Sequence, residues 1–140
     1  MLGDDGTEPV ADDELLYRRI PVSTKWYTES GLSPEAFDPR RDETTGISFY
    51  RSKYKSLQQV AKGKSSSGYY VAVLRAGDLR KQGIEVVPRP ASDDPGHSEL
   101  PQLTCHNRLT SEALELKLRL TELCLRVEGP LSPITDRALE

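Results

Sequence analysis

Any chemistry in this chain has to start from a few side chains. His97 stands in Asp93-Asp94-Pro95-Gly96-His97-Ser98-Glu99, where neighbouring carboxylates could orient an imidazole for acid–base work. The residues around it read as a loop, the place where functional groups concentrate. Sequence alone places no nucleophile or second base beside it, so an ordinary surface histidine is the competing reading. Gly63-Lys64-Ser65 matches the end of a phosphate-binding loop, which wraps phosphates in backbone N–H groups. The match stops there, because position 58, where that loop needs its first glycine, is Gln. Tyr50, Arg51, Lys53, Tyr54, Lys55, Lys62 and Lys64 interleave rings with cations, the ingredients of a groove that stacks bases and neutralises phosphates. Charges at a strand end are more often a solvated face, so nucleic acid is not the expected partner. Cys105, Cys124, His97 and His106 are zinc-ligand types without any Cys-x-x-Cys or His-x-x-x-His pair. No metal is expected on them, and the two thiols are expected to be free.

The surroundings of these residues are polar. The chain has 140 residues, 36% hydrophobic and 29% charged, which fits one domain with a modest core and excludes a multidomain enzyme. No run approaches the roughly 20 apolar residues of a membrane helix. The start, Met1-Leu2-Gly3-Asp4-Asp5, lacks the charge and apolar run of a secretion leader. A cytoplasmic protein with no membrane association is the expectation. The net charge of −3 conceals an asymmetry: residues 1–14 hold six acidic and no basic side chains, residues 15–90 hold 14 basic and seven acidic, and residues 91–140 hold five and nine. The basic middle either attracts a phosphate-bearing ligand or is neutralised by the chain's own acidic beginning.

The elements that must position these groups follow from patterning. Residues 1–13 read as an acidic flexible tail and residues 129–140 as a second tail, leaving one domain over 14–128. Leu15 to Ile20 is β-prone and stops at Pro21. Residues 21–46 form a long connection, with Trp26 and Phe37 pinning it to the core. Gly46 to Arg51 alternates as a half-buried strand. Ser56 caps a short helix, and Tyr69 to Arg75 is the clearest central strand. Asp78 is the expected cap of one turn over Leu79 to Gln82, closed by Gly83 before a strand over 84–88. The prolines of 88–101 predict an irregular surface loop carrying His97. In 111–123 helical and strand spacings of leucine compete, and propensity decides for a helix capped by Thr110. A short strand is expected before Gly129. The fold class is therefore α+β: a mixed, mainly antiparallel sheet of four to six strands covered by a C-terminal helix. The expected core is Leu16, Ile20, Ile47, Phe49, Val71, Val73, Ile84, Val86, Leu116, Leu120 and Leu123.

One constellation spans several elements. Tyr17-Arg18-Arg19 on the first strand, Ser48-Phe49-Tyr50-Arg51-Ser52 on the second, the helix after it and the strand from Tyr69 form an ordered series. Over residues 15–90 that order resembles small ADP-ribosyltransferase and RES-type NAD-consuming domains. The resemblance implies that Arg18 or Arg19 meets the pyrophosphate of NAD and that Tyr50 or Ser52 frames the nicotinamide pocket. A carboxylate would steady the sugar cation, and Glu85 and Glu128 are candidates outside any Glu-x-Glu motif. The pattern also resembles small prokaryotic families without an assigned activity. Because no catalytic set is complete, the leading expectation is a non-catalytic binding or accessory module without a cofactor. It would contact a partner protein through Trp26, Tyr27 and the loop 88–101. The alternative is an NAD-cleaving or ADP-ribosyl-transferring domain using NAD, with Arg18, Arg19, Tyr50 and Ser52 at its site.

Overall fold

The computed structural model describes residues 8–22, 26–28, 31–62 and 68–129. Along the chain run β1 (Leu15–Pro21), β2 (Tyr27–Thr28), β3 (Gly31–Leu32), a 3₁₀ turn (Pro34–Phe37) and β4 (Ile47–Arg51). They are followed by α1 (Leu57–Lys62), β5 (Tyr69–Arg75), α2 (Ala76–Lys81), β6 (Val87–Pro88), β7 (His97–Leu100), α3 (Ser111–Leu123) and β8 (Arg126–Glu128). Six strands form one sheet in the order β6-β7-β4-β1-β5-β8, with β2 and β3 as a separate hairpin. Every pairing in the large sheet is antiparallel. The α+β architecture with a C-terminal helix is as the sequence implies.

Alternation along the strands divides the side chains between two faces. Leu16 and Ile20 of β1, Ile47 and Phe49 of β4, Ala72 and Leu74 of β5 and Leu100 of β7 form the main core with Phe37, Ile84, Leu103, Ala113 and Leu120. On the other face Tyr17, Val71 and Val73 pack beneath Val60 and Ala61 of α1. Val71 and Val73 thus belong to a second, smaller core rather than to the single one expected. β5 is interior, so both of its faces are covered, as its unbroken apolar run suggests. Leu116 and Leu123 are only half-buried at the margin of the main core, beside the fully buried Leu120. Phe37 is buried and Trp26 packs against the same core, so these rings do pin the connection.

The helix caps follow their sequence signals. Ser56 Oγ accepts from Gln59 N at 3.1 Å while Gln59 Oε1 accepts from Ser56 N at 2.8 Å, a reciprocal capping box. Thr110 Oγ accepts from Ala113 N at 3.1 Å at the start of α3. The cap expected at Asp78 is not used, because α2 starts earlier, directly off β5 at Ala76. Its first N–H groups are satisfied by the chain's beginning: Ala76 N donates to Glu14 O at 3.0 Å and Gly77 N to Asp12 O at 2.7 Å.

Those bonds correct the expectation of a flexible tail over 1–13. Residues 1–7 lie outside the described residues, but residues 8–13 are docked, with Val10 buried in the main core. A Cβ at position 77 would lie 2.8 Å from Asp12 O, so only glycine admits the strap this closely. The loop 88–101 is corrected as well. Arg89 N donates to His97 O at 2.8 Å and Ala91 bridges Asp94, so β6, the turn and β7 make a β-hairpin, and His97 opens a strand. Pro88 and Pro90 are tolerated because β6 is the sheet edge, where a missing donor costs no ladder bond. Of the strand expected over 84–88, only Val87 and Pro88 pair. Ile84 and Val86 reach the core without joining the ladder. β8 forms as expected, and the C-terminal tail from residue 130 lies outside the described residues.

Candidate functional sites

Arg18 shares the core face of β1 with Leu16 and Ile20, and only 2% of it is exposed. A charge there must be paired and hydrogen-bonded. Glu43 takes it from two sides, Nη1 to Oε2 at 2.7 Å and Nη2 to Oε1 at 3.2 Å. Nε donates to Ala36 O at 3.4 Å, Nη1 also to Ser48 O at 3.1 Å and Nη2 also to Asp38 O at 3.2 Å. All five N–H bonds of the guanidinium are thereby spent, leaving Arg18 none for the pyrophosphate contact that the resemblance implied. Burial pushes the Glu43 carboxyl up, but the hydrogen bonds and charge of Arg18, with the N–H groups of Arg40 and Ser48, outweigh it and hold Glu43 below its ordinary value. Its Oε1 accepts from Arg40 N at 2.7 Å and Oε2 from Ser48 N at 2.6 Å. The ion pair therefore grips the Ser48 peptide at both its N–H and its carbonyl.

Arg19, one residue on, points to the opposite face. Its Nε donates to Val60 O at 2.9 Å, and its guanidinium carbon lies 4.8 Å from the ring centre of Tyr50 and 4.9 Å from that of Tyr69. Lys55 Nζ sits 4.7 Å from the same Tyr50 ring. All three contacts are within cation–π range. The register pairs Tyr50 with His97 across β4 and β7, so Arg19, Tyr50 and His97, reached from separate readings of the sequence, share one sheet face. Ser52 stands apart at the end of β4, where its Oγ accepts from Leu15 N at 3.1 Å. Of the carboxylates considered, Glu128 Oε2 accepts from Arg126 Nε at 2.7 Å. Glu85 lies exposed in the stretch after α2.

On that face His97 has a defined environment. Nδ1 is 2.9 Å from Arg89 O and Nε2 is 3.0 Å from Ser48 Oγ. Glu99, two residues along β7, has Oε2 4.0 Å from Nε2. Its Oε1 accepts from Thr45 Oγ1 at 2.7 Å and pairs with Arg89 Nε at 2.8 Å. Glu99 belongs to the acidic run that the sequence sets around His97, and Ser48 to the run of the second strand without a role of its own, whereas Glu43 was not singled out.

Three cations of the basic middle, Arg51, Lys53 and Arg80, are met by the acidic start. Arg51, buried on β4, donates from Nε and Nη2 to the two oxygens of Glu14, both at 2.9 Å, and from Nη1 to Glu8 O at 2.7 Å. Lys53 and Tyr54 both bond the Glu8 carboxylate, and Arg80 meets Asp12 at 2.7 Å. The hydrogen bond and charge of Lys53 hold Glu8 below the usual carboxylate range. Arg51, Lys53 and Tyr54 thus form a seat for residues 8–14.

The contact surface expected from Trp26, Tyr27 and the hairpin 88–101 is not continuous. Trp26 and Tyr27 follow β1 beyond Pro21, whereas the hairpin turn precedes His97, which is level with Tyr50 and Tyr17 near the other end of the strand. Gly96 at that turn touches Tyr54. Tyr27 packs edge-on against Tyr70, with ring centres 4.9 Å apart. Apolar exposure concentrates instead around α3. Of six large apolar side chains left exposed among the described residues, four are Leu109, Leu114, Leu118 and Leu125, at 77, 50, 52 and 49%. Leu114 and Leu118 are one turn apart on the side of α3 away from Ala113 and Leu120. Glu115 and Glu122 stand beside them, with Arg119 Nη2 3.0 Å from Glu115.

Cys105 and Cys124 are free thiols, and burial pushes the Cys124 thiol up from its ordinary value. Among the described residues no three His, Cys, Asp or Glu side chains gather as a metal site, and no helix is long and apolar enough to cross a membrane. Protein-family models, curated protein sequences and solved structures give no match to this chain.

Proposed function

We propose that the protein is a cytoplasmic binding module that contacts a partner protein through the leucine ridge of α3. The observation that carries this reading is the exposure of Leu114 and Leu118 on consecutive turns of α3. Apolar side chains exposed together on one side of a helix are the surface a partner protein would cover. Glu115 and Glu122 beside the ridge favour a partner whose apolar contact is rimmed by Lys or Arg. The ridge replaces the Trp26, Tyr27 and hairpin surface as the site of contact, while the class of partner stays the same.

The test is photo-crosslinking in native cells from a reactive side chain placed at position 118. A single protein captured by the parent chain, and lost when Leu114 is changed to Lys, supports the reading if the variant keeps its melting temperature. Undiminished capture with the Leu114→Lys variant removes it. The NAD-cleaving alternative loses Arg18, whose N–H groups are all engaged, while Ser52 Oγ stands apart from Arg19 and Tyr50 and accepts from Leu15 N. Nicotinamide released from NAD, and abolished by Arg19→Ala, would put that alternative first.

A further inference from the structure

The geometry points to Ser48 as a nucleophile and His97 as its general base, a site for acyl transfer from a carboxylic ester on the sheet face opposite the leucine ridge. The tautomer follows from the two partners of the imidazole. Arg89 O can only accept, so Nδ1, 2.9 Å away, carries the proton. In the neutral ring Nε2 then holds a lone pair, and the group 3.0 Å from it is Ser48 Oγ, which must donate its hydrogen. That arrangement activates a serine, with the base oriented by a third group. A backbone carbonyl takes the orienting role, and Glu99, 4.0 Å from Nε2, supplies negative charge on the side where the imidazolium proton appears.

The serine is as firmly placed as the base. Its N–H donates to Glu43 and its carbonyl accepts from Arg18, so the buried ion pair is a positioning device for the Ser48 peptide. His97 is held by the β6-β7 ladder and keeps 24% of its side chain exposed, and Ser48 is also only partly buried. Both side chains are thus partly exposed. In the reaction Ser48 Oγ bonds to the ester carbonyl carbon while its proton passes to Nε2. The C–O bond to the leaving alcohol breaks, and that alcohol takes the proton from Nε2. Water repeats the sequence on the acyl-serine, releasing the carboxylic acid and restoring Ser48.

A fluorophosphonate probe followed by intact-mass and peptide analysis tests this. The parent chain should gain one adduct, on Ser48. Ser48→Ala should gain none, and His97→Gln should label about 100-fold more slowly, the scale of general-base assistance. Burst release of p-nitrophenol from p-nitrophenyl acetate should show the same ranking. A folded parent chain that takes no adduct overturns the assignment, and so does labelling at equal rate in His97→Gln. If Ser48→Ala fails to fold, Ser48→Cys retains the test: its thiol should be alkylated faster than Cys105 or Cys124, and equal rates count against the site.

Discussion

At Arg18 and Glu43 a single pair decides both stability and its dependence on pH. Removing one partner leaves the other buried and uncompensated, so Arg18→Ala should cost about 3–5 kcal/mol in urea unfolding. A paired replacement, Arg18→Met with Glu43→Leu, should cost much less, because it removes the need for compensation. Glu43 titrates below its ordinary value in the folded protein. Its contribution is therefore complete above the unfolded carboxylate range, about pH 4, and is lost as the pH falls through the lower folded value. Unfolding followed against pH should show stability declining in that acid window, and Glu43→Gln should flatten the decline while lowering stability at neutral pH. The sequence held a sign of this pair. Arg18 between Leu16 and Ile20, and Arg51 after Ile47 and Phe49, occupy apolar positions of alternating strands, which requires a buried acid for each. It did not say which acids, since Glu43 and Glu14 reach them from segments without periodicity.

Among the elements, those with local signals were legible and those fixed by distant partners were not. The capping residues Ser56 and Thr110 and the run Tyr69 to Arg75 encode their elements within a few residues. The hairpin of β6 and β7 was hidden by its prolines, which mark a loop unless the strand is known to lie at the edge. The start of α2 was hidden because its cap is the backbone of residues 12 and 14. Gly77→Ala should expose that dependence. With a Cβ 2.8 Å from Asp12 O, the strap must shift, and residues 8–13 should lose protection from hydrogen exchange while α3 keeps its own. The competing leucine spacings of 111–123 had a physical meaning: a helix with leucines at 114, 116, 118, 120 and 123 cannot bury all of them on one side. The leucines that the sheet rejects are those the proposed partner receives. Thr110→Ala should weaken this helix by about 1 kcal/mol, measured as a lower urea midpoint.

For the molecule as a whole, charge is arranged by folding rather than by composition. A chain with a net charge of −3 keeps its acidic start over Arg51, Lys53 and Arg80, so its outer field is weaker than the basic middle alone would give. Deleting residues 1–13 removes Glu8 and Asp12 while retaining Glu14. The shortened chain should be held longer on immobilised heparin than the full one, and the difference should shrink as salt rises and screens the freed cations. Equal retention would mean that those cations find other partners.

β1 comes first along the chain yet lies between β4 and β5, with Leu15 opposite Arg75 and Pro21 opposite Tyr69. A strand made early must then wait beside the ribosome for neighbours translated some dozens of residues later, and its apolar face has no sheet to join until they emerge. During synthesis this interval is the moment of greatest exposure to chaperones and to aggregation, and codons that slow translation before residue 75 would lengthen it.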